Sequence, residues 1–147
     1  MRKDQSTHLM DVRMACLERR RGEMRALVEV FLSPDDKVVE EAVTAVQSLD
    51  DSERCTTELE GAGFEIGDPE QQSKADAIER LLARSKAMEV SGKAEGAVEV
   101  AALALQSARE LGHRPTLARA ALQHARLQAD RTDDLERARN DLIEAIS

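Results

Sequence analysis

Aromatic residues are almost missing from this chain of 147 residues, which contains two Phe and neither Trp nor Tyr. The core must therefore be built from Leu, Val, Met, Ile and Ala. Strands favour β-branched and aromatic side chains, and no stretch of the sequence alternates between apolar and polar residues for long. Ala, in contrast, is the best helix former. The composition therefore predicts an all-α protein.

Long apolar runs and an excess of basic residues are also missing. No stretch approaches the roughly 20 apolar residues that span a bilayer, and no signal peptide is recognisable. The net charge is −8, and residues 33–72 carry 12 acidic against 2 basic side chains. An acidic chain without aromatic stacking residues is a poor match for phosphate groups or an anionic membrane surface. We expect neither a nucleic-acid partner nor membrane insertion of this segment.

Recognisable catalytic motifs are missing too. The sequence has no Gly-rich phosphate loop, no Walker motif and no nucleophile elbow. The three histidines, His8, His113 and His124, are scattered along the chain, whereas zinc requires three or four converging ligands. We expect no catalytic residue, no cofactor and no metal, so the segment is predicted not to be an enzyme. A small enzyme of the helical-bundle type is the disfavoured alternative.

Apolar residues at helical spacing predict about six helices and one short helix. The first should run from about Thr7 to Leu32. Ser33 is predicted as the next N-cap and Pro34 as the first helical residue, and so short a connection requires an antiparallel hairpin. Gly92 and Gly112 are predicted to stop two later helices. The second helix is expected from Pro34 through Val38 to Leu49, and the others over residues 51–59, 69–91, 94–111, 115–129 and 132–147.

A glycine-bearing stretch containing Gly61, Gly63 and Gly67 suggests a domain boundary. We expect residues 1–60 to form an N-terminal helical hairpin with a short helix, 61–68 a linker, and 69–147 a set of repeats. The apolar helical pattern still runs at Ile146 without a stop signal. We therefore expect a segment of a longer protein, with the last repeat truncated.

The predicted repeats are seen when the chain is shifted by 41 residues. Leu81 then falls on Leu122 and Ala97 on Ala138, and three further pairs match in the same way. A fixed period of this kind predicts an α-solenoid, in which each hairpin buries a face against its neighbour. The further pairs are Ala101 with Leu142, Ala104 with Ala145, and Leu105 with Ile146.

The first of these repeats resembles the tetratricopeptide (TPR) family. Gly92 stands where that family ends its helix A, and the small residues of helix B follow at 97, 101 and 104. Leu81, Ser85 and Met88 take the helix-A places that larger residues usually hold. The resemblance implies antiparallel hairpins in a TPR-like α-solenoid, with helices longer than the family's usual period of about 34 residues allows.

A second resemblance covers most of the chain, from about Gln5 to the end. Three features carry it: Asp11-Val-Arg-Met-Ala-Cys-Leu-Glu-Arg-Arg20, a second Cys at 55, and Ala-Arg-Glu-Leu-Gly-His-Arg-Pro115. Together they resemble the region after the catalytic domain in large bacterial serine/threonine protein kinases. The resemblance implies a parent kinase whose TPR-bearing, regulatory part recruits or senses other proteins in signal transduction. A cytoplasmic position is favoured, and the extracytoplasmic side of a membrane-anchored kinase is the alternative.

The two cysteines, Cys16 and Cys55, are predicted to lie close together. The first helix advances about 24 Å from Cys16 to Leu32, and the second returns by nearly as much at about 1.5 Å per residue. Two interpretations stay open. The cysteines are either buried thiols that act as small hydrophobes, which is slightly preferred, or a disulfide, which requires an oxidising compartment.

The sequence thus predicts a non-enzymatic interaction module that binds a protein or peptide partner. In a TPR array the A helices line a concave surface, and here they would be residues 69–91 and 115–129. Five positions on these helices are the candidate partner contacts: Arg84, Met88, Arg119, Gln123 and Arg126. The alternative is a structural spacer or a homodimerisation element, formed through the apolar edge at the end of the chain, without a peptide groove.

Overall fold

The structure is a computed structural model that describes residues 2–57, 67–131, 139–140 and 142–144. The all-α prediction is confirmed, because every element within these residues is a helix. The predicted linker, apart from Gly67 and Asp68, and most of the predicted last helix lie outside the described residues. The helices are α1 (Arg2–Phe31), α2 (Asp36–Gln47), α3 (Arg54–Thr57), α4 (Pro69–Val90), α5 (Ala94–Leu111) and α6 (Arg114–Arg131).

Local signals set most of the helix ends. The Asp68 side chain accepts a hydrogen bond from the backbone N–H of Gln71, so it caps α4 as the sequence indicates. The predicted stops at Gly92 and Gly112 are confirmed, because both have a positive φ (79° and 71°) that an L side chain rarely adopts. The predicted start of α2 is wrong by two residues. The cap is Asp35, not Ser33, because the Asp35 carboxylate accepts from the N–H of Val38 at 2.9 Å.

Helix α5 packs between α4 and α6 through a face of alanines. Ala97, Ala101, Ala104 and Ala108 are completely buried. Toward the start of α5, Ala97 and Ala101 contact Leu127 near the end of α6, and later alanines meet residues near its start, so the two helices run antiparallel. Each alanine side chain is a single methyl group, so the backbone of α5 can approach the neighbouring helices closely.

The α1–α2 hairpin packs onto the first half of this assembly. Ala26 and Leu27 of α1, Ala45 of α2 and Ala87 of α4 form one buried cluster. Residues from both predicted domains, 1–60 and 69–147, therefore share a hydrophobic core. A disulfide between Cys16 and Cys55 closes the end of the hairpin opposite its turn. The structure thus has the bonded form of the pair, where the sequence left both forms open.

The predicted repeat register does not hold for the helix pair that can be compared. Leu81 is half-buried against the core of α4, α5 and α6, whereas Leu122 is 58% exposed. Ala101 is buried and Leu142 is exposed, and the remaining pairs lie outside the described residues. A shift of 39 residues instead places buried Ser85 on buried His124. Methyl side chains match at several shifts, so an alanine-rich pattern leaves the register undetermined.

None of the helices in the described ranges is long and apolar enough to cross a membrane.

Candidate interaction groove

Helices α1, α4 and α6 lie side by side and run in the same direction. Glu23 of α1 meets Lys86 of α4, with Oε1 and Nζ 3.4 Å apart. Between α4 and α6, an early pair joins Glu79 to Arg119, and a later pair joins Glu89 to Arg126 at 2.6 Å. Because the earlier residue of α4 pairs with the earlier residue of α6, the two helices are parallel. Helix α4, which contacts both α1 and α6, therefore lies at the centre of a layer of three helices.

The exposed side of this layer contains an open groove of about 750 Å³. Helix α4 lies between α1 and α6, so α1 and α6 form the two walls. Its volume lies within the range of about 300 to 1,000 Å³ that ligand-binding clefts usually have. Most of the lining is charged or polar. Gln123 is one of the polar lining residues. The charged ones are Asp11, Glu18, Arg19, Arg21, Glu23, Arg25, Asp76, Glu79, Arg80, Lys86 and Arg119.

The groove has an excess of unpaired basic groups. Its carboxylates at Glu18, Glu23 and Glu79 are already paired with Arg or Lys side chains of this chain. Arg19, Arg25 and Arg80 line the groove, and no carboxylate within the described part of the chain forms an ion pair with any of them. Asp11 and Asp76 also line the groove and form no ion pair within the described residues, so three unpaired arginines stand against two unpaired carboxylates. An anionic group entering the groove would therefore meet positive charge that is not yet neutralised.

Arg119, on the α6 wall, has a lowered pKa, and burial is the main cause. Burial and the like charge of Arg19 lower the pKa of Arg119 to about 10, although Glu23 acts in the opposite direction. The guanidinium remains protonated near neutral pH. Arg19 of the α1 wall and Arg119 of the α6 wall thus lie close enough for their like charges to interact, while Glu23 and Glu79 act on Arg119 with the opposite charge.

A network of four charged side chains fixes the position of α1 on α4 beside the groove. Asp50, just after α2, accepts hydrogen bonds from Arg20 at 2.7 Å and from Lys86 at 3.3 Å. Arg20 and Lys86 also both reach Glu23. Burial alone would raise the pKa of Asp50, but Lys86 and Arg20 outweigh it and hold that pKa below its ordinary value. The α1 wall is therefore anchored at its middle by partly buried ion pairs.

The five predicted contact residues are divided between the groove and its surroundings. Arg119 and Gln123 line the groove. Met88 packs against Ala97, Ala101 and Leu127, and its methyl group fills the space that a side chain at Gly96 would need. The other two residues are exposed and are not among the lining residues: Arg84, on α4, and Arg126, which pairs with Glu89.

The contribution of α1 to the groove was missed from the sequence. Its lining residues recur at helical spacing along one flank, through Asp11, Ala15, Glu18, Gly22 and Arg25. A mixed polar flank of this kind is typical of any solvated helix, so it gave no reason to place α1 beside α4. The helical spacing of these residues is visible in the sequence, but only the packing of α1 against α4 shows that they line a groove.

The groove has no arrangement that indicates metal chemistry. Within the described residues, no group of three or more His, Cys, Asp or Glu side chains could hold a metal ion. His113, at the entrance to α6, contacts the hydroxyl of Thr116 at 2.8 Å. This contact holds the first turn of α6 in place, as an N-cap does. The groove residues thus provide charge and shape for a ligand.

The chain matches no protein-family model, no curated protein and no solved structure.

Proposed function

We propose that this chain is a non-enzymatic interaction module that binds an acidic segment of a partner protein in the groove of α1, α4 and α6. The observation that carries the proposal is the presence of Arg19, Arg25 and Arg80 in the groove without carboxylate partners among the described residues. A partner with Asp or Glu side chains would supply the missing charges. Such charge-assisted contacts are stronger than those between neutral groups.

The helical layout supports a TPR-like array as the architecture of this module. Three hairpin-starting helices, α1, α4 and α6, run parallel and carry the groove, while α5 lies on the other side of α4 and α6. Gly92 ends α4 with a positive φ, and Ala97 and Ala101 are buried, at the positions that resemble the TPR pattern. The groove is then the concave face that such arrays offer to a guest peptide.

The second resemblance gives the proposed setting. We propose that the module belongs to the TPR-bearing, non-catalytic part of a bacterial serine/threonine protein kinase, where it recruits or senses a partner protein. The support is the segment from Asp11 to Arg20, which forms the middle of α1 and so contributes part of one groove wall. Sequencing the coding region upstream of this segment tests the setting, and a reading frame without kinase motifs would contradict it.

Peptide selection tests the binding function. The chain is screened against a displayed library of random peptides, and the affinities of the selected peptides are then measured by fluorescence anisotropy. We expect the bound peptides to be rich in Asp and Glu. Replacing both Arg19 and Arg80 by Gln should weaken their binding about tenfold or more, since charge-assisted contacts contribute roughly 1.5 to 3 kcal/mol each.

Arg84→Gln is the matched control. Arg84 lies on α4, as Arg80 does, and is exposed, but it is not among the groove-lining residues. This variant should bind the selected peptides like the unaltered protein. If Arg84→Gln lowers the affinity for these peptides as much as the Arg19/Arg80 variant does, the peptides do not bind in the groove. If the selected peptides contain no acidic residues, the charges of the groove do not determine binding.

A further inference from the structure

A stripe of apolar side chains runs along an exposed side of α1. It consists of Met10, Met14, Leu17, Met24 and Val28, with Arg21 between its two halves. The steps between these six residues alternate between four and three. This is the spacing of the a and d positions of a coiled-coil heptad, which keeps one seam of a helix against a partner helix. The stripe therefore has the pattern of a helix–helix seam without a second helix.

The stripe faces away from α4. Helix α1 meets α4 through Glu23 and through Ala26 and Leu27, which pack with Ala87. These residues lie on the opposite side of the helical wheel from Met14 and Val28, at 3.6 residues per turn. The groove lies along the neighbouring flank of α1, and Arg21 borders both surfaces, but none of the five apolar stripe residues lines the groove. The apolar stripe thus adjoins the groove without being part of its lining.

Helix α2 extends this surface. Val39, Val43 and Val46 are exposed, while Val38 and Ala45 point into the core. Lys37 and Glu41 approach Gly92, so the three valines lie on the side of α2 turned away from α4 and α5. The eight apolar residues of both helices form what is here named the α1–α2 apolar face, and their exposure ranges from 42% to 69%. Monomeric proteins rarely expose so large a contiguous apolar surface.

We propose that the α1–α2 apolar face pairs with the same face of a second copy of the chain, with the two α1 helices antiparallel about a two-fold axis. Self-association is the commonest way to bury such a face, and a two-fold dimer uses one patch twice. Eight apolar side chains on two helices offer an area of several hundred Å² per copy, comparable with the roughly 800 Å² that each partner buries in a standard interface.

The stripe itself defines the register of this pairing. About a two-fold axis between Leu17 and Arg21, each stripe residue meets another one: Met14 lies opposite Met24 of the second copy, and Met10 opposite Val28. Leu17 then packs on the aliphatic stem of Arg21, whose guanidinium pairs with Glu18 at 2.7 Å. A single basic residue within a seam is a known way to fix register and oligomeric state. The first half of the second α1 lies beside the valines of α2.

Charges beside the stripe favour a second copy over an unrelated helix. Asp11 and Arg25 are exposed and occupy equivalent heptad positions two turns on either side of Glu18. In an antiparallel pair, Asp11 of one helix approaches Arg25 of the other, and the two-fold axis creates this pair twice. The same arrangement brings Glu18 near Glu18 of the second copy at the two-fold axis, where each carboxylate is already paired with Arg21 of its own chain. The antiparallel arrangement thus forms two new ion pairs between the copies.

Sedimentation equilibrium of the full chain over a hundredfold range of concentration tests the proposal. We expect a reversible dimer whose dissociation constant rises at least about a hundredfold in the double variant Met14→Glu/Met24→Glu, since charges replace four buried methionines. Leu122→Glu is the control, because Leu122 is 58% exposed on α6 and lies outside the face. A monomer at every concentration, or a dimer that tolerates both glutamates, would overturn the proposal.

A charge exchange tests the pairing direction with variants that keep the helix intact. Asp11→Arg and Arg25→Asp should each weaken the dimer severalfold, and the double exchange should restore it, because only antiparallel copies bring these two positions together. Failure of the restoration would overturn the α1–α1 pairing even if a dimer forms. Arg25 lines the groove as well, so the groove is tested through Arg19 and Arg80, which take no part in this pairing. Peptide binding by the Met14→Glu/Met24→Glu variant then separates a failure of the dimer from a failure of the groove.

Discussion

The hydroxyl of Ser85 donates a hydrogen bond to the backbone carbonyl of Ala97 at 2.9 Å, across the interface between α4 and α5. Neither residue is exposed to solvent. The same hydroxyl oxygen accepts from Gln123 of α6 at 3.4 Å. One side chain thus joins three helices at the level where the alanine face begins.

Ser85→Ala should lower the free energy of unfolding by about 1 kcal/mol, the usual value of a buried neutral hydrogen bond. Urea unfolding followed by circular dichroism measures the change. Ser107→Ala on α5 is the control, because Ser107 is only partly buried and should tolerate the change within about 0.5 kcal/mol. If the Ser85 variant is as stable as the control, the hydrogen bond makes no net contribution to the free energy of unfolding.

Ala101→Leu should destabilise the fold by about 1 to 3 kcal/mol, because Ala101 is completely buried between α5 and α6 and a larger side chain overpacks a closed core. Ala102→Leu provides a matched control one residue away, since Ala102 is exposed. It should leave the melting temperature nearly unchanged. If both variants have the same melting temperature, the alanine face of α5 does not pack closely against α6.

Asp50→Asn should lower stability by about 1 kcal/mol at neutral pH by removing a partly buried ion-pair network. Because Lys86 and Arg20 hold the pKa of Asp50 below its ordinary value despite burial, the ionised carboxylate stabilises the fold at pH values above the unfolded pKa of about 3.9. This contribution is lost as the pH falls through the folded pKa. The gap between the original protein and the variant should therefore close in acid.

Unfolding curves at several pH values, from neutral to acid, measure this convergence. Glu40→Gln on α2 is the comparison, since Glu40 is exposed and no ion pair is seen for it within the described residues. It should change stability by only a few tenths of a kcal/mol at any pH. A gap for Asp50→Asn that stays constant down to strong acid would mean that the network acts through packing and not through charge.

Replacing Cys16 and Cys55 together by Ala should cost about 3 to 4 kcal/mol, because the disulfide closes a loop with a sequence separation of 39 residues and restricts the unfolded chain accordingly. Thermal melting of the oxidised protein, with and without reductant, measures the effect. The reductant should lower the melting temperature of the original protein and leave that of the double Ala variant unchanged. Equal responses would mean that the bond is not formed in solution.

The sequence was sufficient to predict most of the helices because its caps and stops are local. Gly112 ends α5 by its own backbone conformation, so no distant contact is needed to locate that end. The start of α2 was harder, since Ser33 and Asp35 are both good caps and only the bond to Val38 decides between them. Such ambiguities shift a boundary by about two residues.

The groove was less predictable than the helices. Of the residues predicted to contact a partner, Arg119 and Gln123 line the groove and Met88 does not, because an apolar residue on an amphipathic helix can lie on either border of its stripe. The α1 wall depends on contacts such as Glu23 with Lys86, which are 63 residues apart. Pairing at that distance follows from how two hairpins stack, and no local pattern in the sequence encodes it.

The position of the Cys16–Cys55 bond has a consequence for tolerance to cleavage. The bond lies at one end of the α1–α2 hairpin, and the turn around Ser33 and Pro34 lies at the other. A protease that cuts within this turn leaves two polypeptides that are still covalently joined, with the two helices held at the level of α3. The turn is therefore a suitable place to insert a foreign sequence or to open the chain without separating its parts.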